Sequence, residues 1–169
     1  GIVVEPVWVG GTTRIAHVIA DKKRNEHSHI IAGEMVINGR QRAAFVRRFT
    51  ALLENAEFVI FAGSIPKIMD PDLYAELIPL AKEKGIPTLV DAQNEVMAEA
   101  IKAGPDIVKM NWEEFGWTFN QKSRAVDALI VEAEAFYQEK TLKNLVITMS
   151  KDGILAITPG GTYLAKAPL

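Results

Sequence analysis

The sequence predicts an α/β protein with a mostly parallel central sheet, preceded by a small separate β layer. Three observations carry this. Four short apolar runs, at 57–62 (EFVIFA), 86–90, 107–108 and 145–149 (LVITM), alternate with stretches of helical period, as in a parallel sheet joined by crossover helices. Polar residues follow each run, as they do along the carboxyl rim of such a sheet. The first 37 residues instead read as short strands broken by turn signals.

Composition bounds the function classes. The chain has 169 residues, enough for one sizeable core, with 49% hydrophobic and 24% charged residues. A net charge of -2 argues against nucleic acid as a bulk electrostatic partner. The absence of cysteine excludes disulfides, thiolate catalysis and Cys-based zinc sites. No stretch has the apolar length of a membrane helix and no signal-peptide pattern opens the chain, so the expected setting is cytoplasmic, without a membrane partner.

Taken in order, 2–9 is strand-like and Gly10-Gly11 is a turn signal. Strands are expected at 13–20 and 27–32, joined by the charged turn 21–26, together an antiparallel ribbon. His27 and His29 share a strand face, with His17 nearby; a metal pair there is weighed against an exposed or substrate-facing surface, which is favoured because no acidic or Cys partner has suitable spacing. Arg14 sits just inside the second strand. Phe45, Val46, Phe49, Leu52 and Leu53 then fall on one helical face, with Arg40, Arg42, Arg47 and Arg48 as a solvated one. Asp70-Pro71 reads as N-cap and first turn of a helix striped by Leu73, Leu77, Leu80 and Ala81, kinked at Pro79 and closed by Gly85. Val96, Met97, Ala100 and Ile101 mark the next helix, and Gly104-Pro105 stops it. Trp112, Phe115 and Phe119 recur at helical spacing as core. Ser123 opens a long helix through Val126, Leu129, Ile130, Ala133, Phe136 and Tyr137. Strands at 154–158 and 162–165 end the sheet as an antiparallel meander.

Ser64, Asp91, Lys109, Asn111, Glu114 and Thr148 all follow strand ends that right-handed crossovers place on one rim. Each has a plain reading. Asn111 and Glu114 have the spacing of a capping box, which needs no ligand. Asp91, a carboxylate at a strand's carboxyl end, could hold a cation or a sugar hydroxyl or cap the next helix, and the cap is favoured. Gly63-Ser64 reads as a strand-to-helix loop. Several such groups on one rim point to a phosphate or nucleotide site, with a cation and a helix N-terminus to hold the anion. No P-loop and no G-x-G-x-x-G pattern is present.

Four stretches make the pattern specific: Gly11-Thr12-Thr13-Arg14, Ala62-Gly63-Ser64-Ile65-Pro66, Val108-Lys109-Met110-Asn111-Trp112-Glu113-Glu114, and Thr148-Met149-Ser150-Lys151-Asp152-Gly153. In this order they resemble landmarks of PfkB-type (ribokinase-like) sugar kinases of the 1-phosphofructokinase and tagatose-6-phosphate kinase branch. Those landmarks are Thr-Arg after a small lid, Ser-Gly-Ser-Leu-Pro, Lys-Pro-Asn-x-x-Glu and Ser/Thr-x-Gly-x-x-Gly. The resemblance covers nearly the whole chain, as the central portion of such a kinase. It implies a ribokinase-like three-layer sandwich, with residues 1–37 part of a β lid and 38–169 a nucleotide-binding α/β region incomplete at both ends. It also implies ATP- and Mg²⁺-dependent phosphorylation of a sugar phosphate. An apolar face on such a lid sheet would be a dimer surface, so a homodimer through the lid is a further expectation. Arg14 and Ser64 would contact the substrate. Lys109 would stabilise charge on the transferring phosphoryl group and, with Asn111, Thr148 and Gly153, bind the nucleotide. Glu114 and Asn111 would hold Mg²⁺ through water.

The sequence departs from the family pattern at Met110 for Pro, at Asp91-Ala92-Gln93-Asn94-Glu95 for Asp-x-Ser-Gly-Glu, at Ser150 for Gly, and at Lys67-Ile68 for Pro-Gly. The family's opening sugar site and closing Gly-Ala-Gly-Asp, whose Asp is the base, have no counterpart up to Leu169. The expectation is therefore a kinase fragment, inactive alone. A non-catalytic sugar-phosphate or nucleotide-binding module of the same fold is the alternative, and an unrelated α/β domain with capped helices a third.

Overall fold

The computed structural model describes residues 1–166 apart from 22, 25, 67 and 121–124. Expectations that rest on Lys67, on Ser123 or on 167–169 lie outside the described residues. The chain forms two compact units, Gly1–Phe49 with Pro66–Met69, and Thr50–Ile65 with Asp70–Leu169.

In the first unit, 1–9 forms no strand, contrary to its composition, and Ile2, Val3 and Val4 are exposed. Regular structure begins at β1 (Gly10–Gly11), paired antiparallel with β4 (Met35–Val36). Gly11, at φ +86°, makes this crossing possible, because a Cβ there would meet the Glu34 carbonyl oxygen at 2.2 Å. Between them β2 (Ile15–Asp21) and β3 (Glu26–Ala32) form the expected antiparallel ribbon. His17 pairs with Ile30 and His29 with Val18, one register step apart. The two histidines therefore face opposite sides, and the expected closeness of His17 to the His27–His29 face is overturned by the alternation of the strand. Both faces of the ribbon are exposed and apolar, with Ile15, Ile19 and Ile30 on one and Val18 and Ile31 on the other. Helix α1 (Gly39–Leu52) starts from a reciprocal cap: the Asn38 N–H donates to Gln41 Oε1 (2.9 Å) and the Gln41 N–H to Asn38 Oδ1 (3.0 Å). Its expected apolar face is sealed only at its end: no residue within α1 is buried and Phe45 and Leu52 are exposed, while Leu53, just past the helix, is buried.

The second unit holds β5 (Val59–Ala62), α2 (Leu73–Glu83), β6 (Thr88–Asp91), α3 (Asn94–Lys102), β7 (Ile107–Asn111), α4 (Trp112–Phe119), α5 (Val126–Glu139), β8 (Leu145–Thr148), β9 (Ile154–Thr158) and β10 (Gly161–Ala165). They build a six-stranded sheet of order β10-β9-β8-β7-β6-β5. β5 to β8 run parallel, and β9 and β10 return antiparallel. Right-handed crossovers along this unbroken order put α2 to α5 on one face. Phe61, Val90, Val108, Met110, Ile147 and Leu155 are sealed on that side, with Leu77, Met97, Phe115 and Leu129 from the helices. Phe136 stacks edge-on to Phe115 (5.3 Å) and against Phe119 (4.2 Å); Phe115 is core, as its spacing indicates, whereas Phe119 and Trp112 are half-buried. Alternation places Ile60, Leu89, Ile107, Val146 and Ala156 on the other face; none is buried, and Ile60 is 63% exposed. Helix α2 begins two residues later than expected, with Asp72 in the cap position and no side-chain cap bond. Pro79 lies inside α2 on its exposed side.

The amino ends of three strands are tied together by Asp106. Its Oδ2 accepts from the Thr88 N–H (2.9 Å) and hydroxyl (3.1 Å), and its Oδ1 from Lys143 Nζ (2.6 Å), while Asn144 Nδ2 donates to its carbonyl (2.9 Å). Burial by itself raises the Asp106 pKa, but the bonds from Lys143 and Thr88 outweigh it and hold the carboxyl below its ordinary 3.8. With a native pKa below the unfolded one, this stabilisation is complete above the unfolded value and is lost as pH falls through the native value. Asp106→Asn should cost about 1–3 kcal/mol at neutral pH, since fully buried Thr88 loses its ionised acceptor. Urea midpoints at neutral pH and at about pH 3 check this: the gap between variant and parent should shrink in acid.

Candidate active site

The carboxyl rim of β5 to β8 is assembled by register. Ala62 pairs with Asp91, Asp91 with Lys109, and Asn111 with Thr148, so Asp91, Lys109, Asn111 and Thr148 share the face that α2 to α5 leave open. Lys109 Nζ donates to Asp91 Oδ2 at 2.9 Å, with both side chains about one-third exposed (28% and 35%). This overturns the reading of Asp91 as a helix cap. The N-cap of α3 is Gln93, without a side-chain bond, and the Asp91 carboxylate goes to the cation that strand pairing sets beside it.

Asn111 ends β7 and starts α4 with a complete capping box. The Glu114 N–H donates to Asn111 Oδ1 and the Asn111 N–H to Glu114 Oε2, each at 2.8 Å. The cap is made; a carboxylate offers about four acceptor sites, so the same Glu114 keeps capacity for a second interaction.

Tyr74, which the sequence does not single out, braces the adjoining strand end. Its hydroxyl donates to the carbonyls of Ala62 (3.1 Å) and Gly63 (3.4 Å). Burial raises the phenol above its ordinary pKa and the Asp91 charge raises it further, so it stays a neutral donor. The only sequence signal is a Tyr beside the Leu73–Leu77 stripe, an apolar ring with a polar tip. Gly63 (φ +95°) donates its N–H to the Asp91 carbonyl (3.3 Å), and Ser64 follows, exposed.

Thr148 leads into a short 3-10 turn, Ser150–Asp152, and then Gly153. The Met149 N–H donates to the Gly153 carbonyl at 2.8 Å. Ser150 takes φ 53°, the left-handed region that glycine adopts without strain, which gives the departure at this position a physical meaning. The structure thus brings Asp91, Lys109, Asn111, Glu114 and Thr148 to one rim, with Ser64 two residues past the neighbouring strand end and Gly153 closing the turn after Thr148. Arg14 belongs to the first unit; it lies exposed just before β2, not within it. A groove of 570 Å³ between α5 and β9–β10, lined by Val131, Glu134, Tyr137, Ile157, Thr158 and Thr162, contains none of these residues.

The model of the pfkB family carbohydrate kinases matches residues 6–168. The chain belongs to that family. It is 26% identical over 160 residues to a 1-phosphofructokinase of Bacillus subtilis (strain 168), covering 95% of this chain and 51% of that protein. The tetrameric inhibited form of phosphofructokinase-2 from Escherichia coli superposes with a TM-score of 0.79 at 19% identity, covering 96% of this chain and 53% of that one. A possible 1-phosphofructokinase from Thermotoga maritima also gives 0.79, at 21% identity over 95% of this chain and 51% of that one. The mostly parallel sheet with its helices is the ribokinase-like α/β fold of these pfkB neighbours. The chain spans about half the length of the relatives it matches. Among its described residues no helix is long and apolar enough to cross a membrane, and no group of three or more His, Asp or Glu could hold a metal by protein ligands alone.

Proposed function

We propose that this chain is the nucleotide-handling part of an ATP-dependent kinase acting on a sugar phosphate, of the 1-phosphofructokinase or tagatose-6-phosphate kinase type. The observation that carries the reading is the rim: the Lys109 ammonium, the Asn111 amide and the Thr148 hydroxyl set by strand register at the carboxyl ends of β7 and β8, with the Glu114 carboxylate set beside them by the capping box, where open α/β sheets take their ligands. In phosphoryl transfer the protein mainly positions groups and stabilises charge. Lys109 supplies that charge at the transferring group. Asn111, Thr148 and Gly153 take the nucleotide. The donor set suits Mg²⁺: oxygen ligands from Asn111 and Glu114, both engaged in the capping box, so contact runs through the waters that Mg²⁺ keeps. Bound Mg²⁺ neutralises phosphate charge. Arg14 and Ser64 are the proposed substrate contacts, residues 1–37 the proposed lid, and 38–169 the proposed nucleotide-binding region. The exposed apolar faces of the β2–β3 ribbon favour a homodimer through it, since a two-stranded ribbon is marginal alone. A cytoplasmic setting goes with the reading.

The test is ADP release by the protein expressed from its complete reading frame, given MgATP with fructose 1-phosphate, fructose 6-phosphate or tagatose 6-phosphate in turn. Turnover with one of them supports the reading. Protection by MgATP in a thermal-shift assay without turnover leaves only a binding module, and no protection leaves an unrelated use of the fold. Glu114→Gln keeps an oxygen for the cap but removes the charge, so the Mg²⁺ concentration for half-maximal rate should rise about tenfold with the melting temperature nearly unchanged. Unfolding with an unchanged metal response would reduce Glu114 to a cap.

A further inference from the structure

We infer that Asp91 is the positioning residue of Lys109, acting on transfer through that ammonium and not by touching substrate. The inference rests on the kinase reading above. A lysine at a strand end has a long stem and costs up to about 2 kcal/mol of rotamer entropy to hold in one place. Here it is held: Asp91 stands opposite it in the parallel register and binds Nζ at 2.9 Å.

The holder is itself fixed. Asp91 ends β6, paired on both sides, with Ala62 of β5 and Lys109 of β7. Its backbone carbonyl accepts from the Gly63 N–H, and the buried Tyr74 hydroxyl, close enough for the Asp91 charge to raise its pKa, pins the Ala62 and Gly63 carbonyls next door. An ammonium has three N–H donors, so one bond to Asp91 leaves two to turn toward an anion on the open face. Stability alone gives the pair little purpose, since partly exposed ion pairs contribute about 0–1 kcal/mol. Its use is geometric, because small misplacements of a charge-stabilising group cost rate steeply.

The test is a double-mutant cycle on kcat in the protein from its complete reading frame, with melting temperatures taken throughout. Asp91→Asn keeps size and an acceptor but loses the charge. It should lower kcat on the order of tenfold, change the KM for ATP less than about threefold, and leave the melting temperature within about 3 °C. In a Lys109→Met background the same change should alter kcat less than about twofold, because groups that act as a unit are not additive. Asp91→Glu, with its charge on a longer arm, should recover part of the rate. An unchanged kcat in Asp91→Asn, or an equal loss with and without Lys109, overturns the inference while leaving the kinase reading intact. Full turnover in Lys109→Met overturns the inference and takes Lys109 out of the chemistry without touching the kinase reading, whereas no turnover in the parent with any sugar phosphate overturns both.

Discussion

Lys109→Met should lower kcat about 10²–10³-fold, equivalent to about 2.7–4 kcal/mol of transition-state stabilisation, in a protein that keeps its fold. The loss is large because a preorganised charge aimed at the transferring group needs no reorganisation during the reaction. The fold survives because the charge contributes little to it. Lys109 and Asp91 are 28% and 35% exposed, so water can solvate the carboxylate left behind, and the stability change should stay within about 1 kcal/mol. Methionine keeps the apolar stem, so packing along β7 between Val108 and Met110 is spared. The KM for ATP should rise less than kcat falls, since the proposed nucleotide contacts at Asn111, Thr148 and Gly153 are untouched by the change. Steady-state kinetics beside a melting curve separate the two. A variant that loses both stability and rate would place Lys109 in the scaffold, and one that loses neither would remove it from the chemistry. Lys109→Arg is no control, because the planar guanidinium presents its donors in another geometry.

What the sequence makes legible is whatever lies close along the chain. The apolar runs at β5 to β8 mark the sheet, and polar residues directly after them mark the rim, because a parallel strand must turn polar where it leaves the core. Asn111 and Glu114, three apart, declare their capping box. What stays illegible depends on register. Asp91 and Lys109 are 18 residues apart, and nothing local says that parallel pairing sets them opposite each other, so the cap looks simpler for Asp91. Tyr74 and Asp106 are hidden for the same reason, since their partners lie on other strands. The first nine residues mislead in the opposite direction: Ile2, Val3 and Val4 have strand composition, but composition does not supply a neighbouring strand. The likeness to pfkB kinases names Gly153 as part of a nucleotide turn, and its conformation explains why a glycine stands there.

Gly153→Ala should cost about 2–6 kcal/mol. Two terms add. Gly153 adopts φ 100°, ψ -144°, open to glycine and strained by about 1–3 kcal/mol for other residues. A Cβ there would also meet the Ala165 carbonyl oxygen at 2.0 Å and the Lys166 Cα at 3.0 Å. Both are backbone atoms, so no side chain can swing away, and relief must come from moving the end of β10 off β9, an overpacking cost of about 1–3 kcal/mol. The strain falls in the turn proposed to take the nucleotide. The Gly153 carbonyl accepts from the Met149 N–H, so displacing it opens the turn that follows Thr148. A fall of roughly 10 °C in melting temperature is expected, with a lower urea midpoint and loss of MgATP protection. Ser150→Ala, in the same turn but with its Cβ already accommodated at φ 53°, should change stability by less than about 1 kcal/mol. If Gly153→Ala proved as stable as its parent, the close approach of β10 to this turn would be wrong, and the route from turn to nucleotide would go with it.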